Sequence, residues 1–150
     1  LDKSLIEYKI KTADHKEVEL HLTQCDNDFI PLLSKRVNIN DYSKKIADNA
    51  ITFEAWKGDK LIGLIATYFN NAENQTAYIT SVSVLKEQMG LGIASELLKK
   101  CIEFAKQKNY KKINLEVNIG NKPAISFYKK FNFIEIGTKE DSLIMQLQTK

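Results

Sequence analysis

Two glycines stand one residue apart at Gly90 and Gly92, immediately before a strongly patterned helical stretch. Glycine is a poor helix former, so a pair of them at a helix start implies that the backbone there must be bare. The first turn of a helix carries free N–H groups and about half a positive charge. Side chains would hold an anion away from those donors, and glycines let it approach. A strand, a glycine turn and a helix therefore make a phosphate cradle. A Walker P-loop is excluded, because Gly-Lys-Ser/Thr is absent from the turn. A dinucleotide fingerprint fits less well. Gly90-Leu91-Gly92-Ile93-Ala94-Ser95 ends in Ser, although Glu116 ends the next strand at roughly the distance of a ribose-binding acid. A tight turn without a ligand is the bland alternative.

The elements that position this turn can be read from periodicity. The helix after Gly92 repeats apolar residues in two rows, Ile93, Leu97, Cys101, Ala105 and Ala94, Leu98, Ile102, against a wet face of Lys99, Lys100, Glu103 and Lys106. Before it, Ala77–Leu85 reads as a strand with Ile79, Ser81 and Ser83 alternating against Thr80, Val82 and Val84. Upstream, Ile51–Trp56 and Leu61–Phe69 read as a hairpin around Gly58-Asp59. Downstream lie a strand at Lys112–Val117, a helix at about Lys122–Lys130, and strands at Phe133–Gly137 and Leu143–Gln148. The N-terminus reads as two strands, Leu5–Ile10 and Val18–Leu22, flanking a polar turn at Ala13–Lys16. Asp26–Asn49 reads as two short helices broken near Asn38-Ile39-Asn40, with Asp41 as N-cap of the second. The expectation is an α/β fold: a central mixed, mostly antiparallel twisted sheet with helices on both faces.

Length and composition set the outer bounds. The chain has 150 residues, the size of one domain, and reads as a single unit over 1–150. Its 22 basic and 19 acidic residues leave a net charge of +3. The lysines are spread along the chain, which argues against nucleic acid as a partner. No apolar run approaches the ~18 residues of a membrane span, and no signal peptide is visible. Cys25 and Cys101 are isolated, which fits neither a zinc pattern nor a disulfide framework and points to a reduced, cytoplasmic setting.

The run Val84–Leu98 resembles the acyl-CoA-binding motif of the GCN5-related N-acetyltransferase superfamily, Q/R-x-x-G-x-G/A after a strand. Asn121–Phe133 resembles that family's later N-x-x-A-x-x-x-Y-x-x-x-G-F stretch, in the same order and at the usual separation. The match covers about residues 76–136. The resemblance implies a single GNAT-like domain, acetyl-CoA as cosubstrate, and direct acetyl transfer to a primary amine. It implies a cofactor site at Met89, Gly90, Leu91, Gly92, Ile93, Ala94 and Ser95. It adds a strand N–H at Val82, Ser83 or Val84 that polarises the thioester carbonyl, and Asn121 on the pantetheine arm. It implies Tyr128 as general acid to the leaving thiolate. Tyr128 also reads as a core aromatic, and Asn121 as a helix cap.

Three positions depart from the family pattern. Met89 stands where Gln or Arg is preferred, and Asn132 where glycine precedes Phe; Asn tolerates the left-handed conformation expected there. Thr80 stands where many relatives carry a Glu base, so the base is left open between Glu54, Glu116, water and none. His15 reads as a turn residue and His21 as a surface or packing residue on a strand. The acceptor would meet roughly Asp26–Tyr42 and Asn70–Gln75. Asp26 and Asp28 could attract a cation, and Lys35 and Arg36 an anion. A small amine is expected (a nucleotide-linked amino sugar, an amino acid or a polyamine), with protein N-termini and a homodimer left open. The alternative outside enzymology is an acyl-CoA-binding sensor or partner domain.

Overall fold

The computed structural model describes residues 5–150. Its elements run β1 (Ile6–Ile10), α1 (His15–Cys25), α2 (Ile39–Asn49), β2 (Ile51–Lys57), β3 (Lys60–Tyr68), β4 (Thr76–Val84), α3 (Ile93–Gln107), β5 (Lys112–Asn118), α4 (Lys122–Lys130), β6 (Ile134–Lys139) and β7 (Ser142–Gln148). The strands form one sheet in the order β1-β2-β3-β4-β5-β7-β6. Among the described residues, only β4 and β5 pair in parallel. α3 and α4 pack on one face, around Ile93, Leu97, Cys101, Ile125 and Tyr128. α1 and α2 cover Leu64, Ala66 and Tyr68 on the other, through Val18, Leu22 and Ile46. This is the mixed sheet with helices on both faces that the sequence implied.

The segment expected to be the second strand is a helix. Val18, Leu20 and Leu22 alternate, but the buried set of α1 is Val18, His21, Leu22 and Cys25, which is helical spacing, and Leu20 is 60% exposed. A capping box starts the helix. The Glu17 N–H donates to Asp14 Oδ1 at 2.8 Å, and Glu17 Oε1 accepts the Asp14 N–H at 3.0 Å. Residues 26–36 are not an α-helix either. They form two 3-10 turns, Asp26–Asp28 and Leu33–Lys35. Asp26 accepts the Ser34 N–H at 2.7 Å and ties one turn to the other. The expected break at residues 38–40 is the start of α2, capped by Asn38 rather than Asp41: Asn38 Oδ1 accepts the Asp41 N–H at 2.9 Å.

β4 carries a bulge that reverses its faces. Ser81 pairs with Ala66 and Ile79 with Thr67, so Thr80 is the extra residue. Ala77 and Ile79 thereby share the α3 face with Val82 and Val84. The simple alternation read from sequence put Ile79 with the serines instead.

Candidate active site

The site opens where β4 and β5 part. They pair through only four residues, from Thr76↔Lys112 to Ile79↔Leu115, yet β4 runs on to Val84 and β5 to Asn118. Past the bulge, β3 is the only strand among the described residues that pairs with β4. The Leu85 N–H donates to the Ile62 carbonyl at 2.9 Å. Antiparallel strands alternate their peptide groups between neighbours. Ser83 and Ser81 therefore turn their peptide groups toward β3, and Val82 and Val84 turn theirs into the opening.

The glycine turn closes one end of this opening. Gly90 has φ +87° and Gly92 φ +77°, and a Cβ at either would meet nothing within 4 Å. Glycine is needed there for the left-handed backbone, with open space beyond it. Gly92 caps α3, and the Glu96 N–H closes the first turn on its carbonyl at 3.0 Å. Among the described residues, nothing accepts the N–H groups of residues 90–95. The Met89 N–H is bonded to the Lys86 carbonyl at 3.2 Å. A pocket of about 200 Å³ lies against these donors, lined by Val84, Gln88, Met89, both glycines and the first turn of α3 through Ser95. Leu91 does not line it and is 43% exposed. A row of free donors at a positive helix end suits a pyrophosphate.

Gly63, which the sequence reading passed over, positions that helix. It lies in β3 opposite Val84, and a Cβ on it would come 2.8 Å from Ile93 Cγ2 and 3.2 Å from Leu97 Cδ1. The start of α3 can sit this close to the sheet only over a glycine. An isolated glycine within a strand pattern is the signal that could have found it.

Tyr128 sits in the core cluster with Val84, Leu85 and Ile93. Its ring lies 5.4 Å from Phe127 and 5.7 Å from Phe133, centroid to centroid. Burial pushes its phenol well above the ordinary value. Asn121 caps α4: its Oδ1 accepts the Ala124 N–H at 3.3 Å, with Pro123 in the first turn. Asn132 has φ +73°, the left-handed conformation expected at that position.

The two candidate carboxylates are differently placed. Glu54 is fully buried on β2. It accepts from Thr12 N–H (2.9 Å) and Oγ1 (2.5 Å), Ala13 N–H (3.0 Å), Thr52 Oγ1 (2.5 Å) and Trp56 Nε1 (2.9 Å). Burial alone would raise its pKa; these hydrogen bonds outweigh it and hold the carboxyl below the usual value. Glu54 ties the 12–13 turn to β2 and has no lone pair left for a substrate. Glu116 is exposed on β5, one residue past the last pair with β4. Burial and the Glu116 charge together push the Tyr78 phenol up to about 12. Tyr42, from α2, donates to the Thr80 carbonyl at 2.8 Å and lies 2.7 Å from Thr80 Oγ1. Tyr42 ends the segment expected to meet the acceptor, and Tyr78 was not singled out in the sequence; both lie on the α1–α2 face beside the bulge.

The chain belongs to the acetyltransferase (GNAT) family, which it matches over residues 13–133. It is 38% identical over 88 residues to a protein of Drosophila melanogaster named a probable N-acetyltransferase, san, covering 57% of this chain and 48% of that one. It is 40% identical over 60 residues to an N-alpha-acetyltransferase of Sulfolobus acidocaldarius, covering 39% of this chain and 36% of that one. The match thus spans half or less of each of these relatives. The PaiA N-acetyltransferase of Thermoplasma acidophilum, solved in complex with coenzyme A, shares the fold, with a TM-score of 0.73 and 17% identity over 95% of this chain and 99% of that one. Among the described residues, no helix is long and apolar enough to cross a membrane.

Proposed function

We propose that the protein transfers the acetyl group of acetyl-CoA to a primary amine by direct attack on the thioester. The observation that carries this reading is the row of unbonded N–H groups from Gly90 to Ser95, set at the mouth of the gap between β4 and β5. The pyrophosphate binds those donors, Ser95 adds its hydroxyl, and the pantetheine arm runs along the free edge of β4 toward Asn121. The N–H groups of Val82 and Val84 face the thioester oxygen and stabilise the charge that grows on it.

The neutral amine attacks the carbonyl carbon from the α1–α2 side. Its proton passes to Glu116, through water or the Tyr78 hydroxyl, because Glu54 is fully engaged elsewhere. Collapse of the tetrahedral intermediate breaks the carbon–sulfur bond. Tyr128, kept neutral by burial, donates to the departing sulfur. A thiol has a pKa near ~8.5, well below a phenol, so a hydrogen bond with partial proton transfer is enough to steady the thiolate.

The acceptor is a small amine in this reading. The N-alpha-acetyltransferase relative favours a second one, the α-amino group of a polypeptide. Thermal shift with acetyl-CoA, CoA and NAD in parallel tests the cradle. A ligand at about 100 times its dissociation constant adds roughly 2.7 kcal/mol. Stabilisation by acetyl-CoA and CoA but not NAD is expected; stabilisation by NAD alone overturns the reading. Thiol release with a panel of amino acids, amino sugars, polyamines and short peptides then separates the two acceptor classes.

A further inference from the structure

His21 lies on the inner face of α1 and is 1% exposed. Its Nδ1 is 2.9 Å from the Leu61 carbonyl oxygen, and its Nε2 is 2.9 Å from Ser83 Oγ. A carbonyl only accepts, so Nδ1 carries the proton and Nε2 presents a lone pair. Ser83 must then donate its hydroxyl to Nε2. Cys25 Sγ stands 3.7 Å from the same nitrogen. One ring thus joins α1 to β3, beside the bulge at Ile62, and to β4 at Ser83.

The place of that link matters more than its strength. Beyond Ile79, β4 has lost β5 as a neighbour. The half-supported segment is the one that turns the Val82 and Val84 N–H groups into the opening, and Ser83 lies between them. We propose that His21 is a positioning residue for acetyl transfer: through the Ser83 hydroxyl it fixes the free half of β4, so that the flanking N–H groups meet the thioester oxygen. This rests on the acetyl-CoA reading above. Burial keeps the ring neutral at ordinary pH, which preserves the required tautomer. A role in packing alone would be met by an apolar side chain of similar size.

The test is the infrared carbonyl stretch of bound [1-13C]acetyl-CoA, with the CoA dissociation constant measured beside it. Wild-type protein is expected to bind and to lower the carbonyl frequency relative to free thioester. Ser83→Ala removes one hydroxyl and little volume. It should keep the CoA affinity and lose most of the frequency shift. His21→Leu should lose the shift as well, whereas His21→Gln, whose amide offers one donor and one acceptor, should retain much of it. A full shift in Ser83→Ala overturns the proposal and leaves the acetyl-CoA reading standing. Failure of wild-type protein to bind acetyl-CoA overturns both.

Discussion

Gly63 lies so close beneath Ile93 that a Cβ on the glycine would come 2.8 Å from Ile93 Cγ2. One strand residue therefore sets the height of the helix end that carries the anion donors. Gly63→Ala should cost about 1–3 kcal/mol of stability through overpacking. It should also weaken CoA binding, because α3 must lift. Gly137→Ala, where the nearest atom is 3.9 Å away, is the control and should change neither. Denaturant unfolding and calorimetric CoA titration check both.

Gly90 and Gly92 make a different demand. Both have positive φ and open space around the missing Cβ. Alanine at either should cost roughly 1–2 kcal/mol from backbone strain. A backbone that relaxes out of the left-handed region would also turn the donors away, so the stabilisation by CoA should shrink in the same variants. Unchanged CoA stabilisation in both would mean that the glycines serve the turn alone.

Tyr128→Phe should lower the rate of thiol release by about 100-fold and leave CoA affinity unchanged. The ring keeps its packing against Phe127 and Phe133, so stability should barely move. A variant with the full rate would leave this tyrosine as a core aromatic with no part in the transfer.

Glu54→Gln should destabilise the fold by about 1–3 kcal/mol, since an amide cannot accept from all five donors. The pH dependence of the variant should also differ. The folded pKa of Glu54 lies below its unfolded value, so its contribution is present above about pH 4.5 and is lost as the pH falls through the folded pKa. Wild-type protein should lose melting temperature on acidification more steeply than the variant. A changed pH–rate profile at neutral pH would show that Glu54 takes part in proton transfer after all.

His21 titrates in its own window. Burial lowers its pKa from 6.5 to about 4. The unfolded chain binds the proton first, so this contribution is complete above pH 6.5 and declines toward pH 4, by roughly 3 kcal/mol at most. The adjacent Cys25 thiol, raised to about 12 by burial first and by Asp28, stays neutral throughout. The melting temperature of wild type should fall faster than that of His21→Gln between pH 6.5 and 4, and the difference between the two should stay constant above that range.

The C-terminal half of the fold was legible because its signals were local. The paired rows of α3 and the Asn121–Pro123 start of α4 each specify their own backbone. The first half was harder. Val18-Glu19-Leu20-His21-Leu22 alternates like a strand, and only the Asp14–Glu17 capping box betrays the helix. The cradle was readable from glycine spacing. The bulge at Thr80, the closed shell around Glu54 and the link from His21 to Ser83 all join residues distant in the chain. The last spans 62 positions, and no local pattern announces it.

The short pairing between β4 and β5 also bears on how the fold holds together under load. Four residue pairs join the first four strands to the last three. That line is the natural seam of the sheet, where slow local opening should begin and where the amides of Thr76–Ile79 should exchange ahead of those deep in β3. A cofactor lying across the gap would then act as a splint, fastening two half-sheets that the chain itself only bastes together.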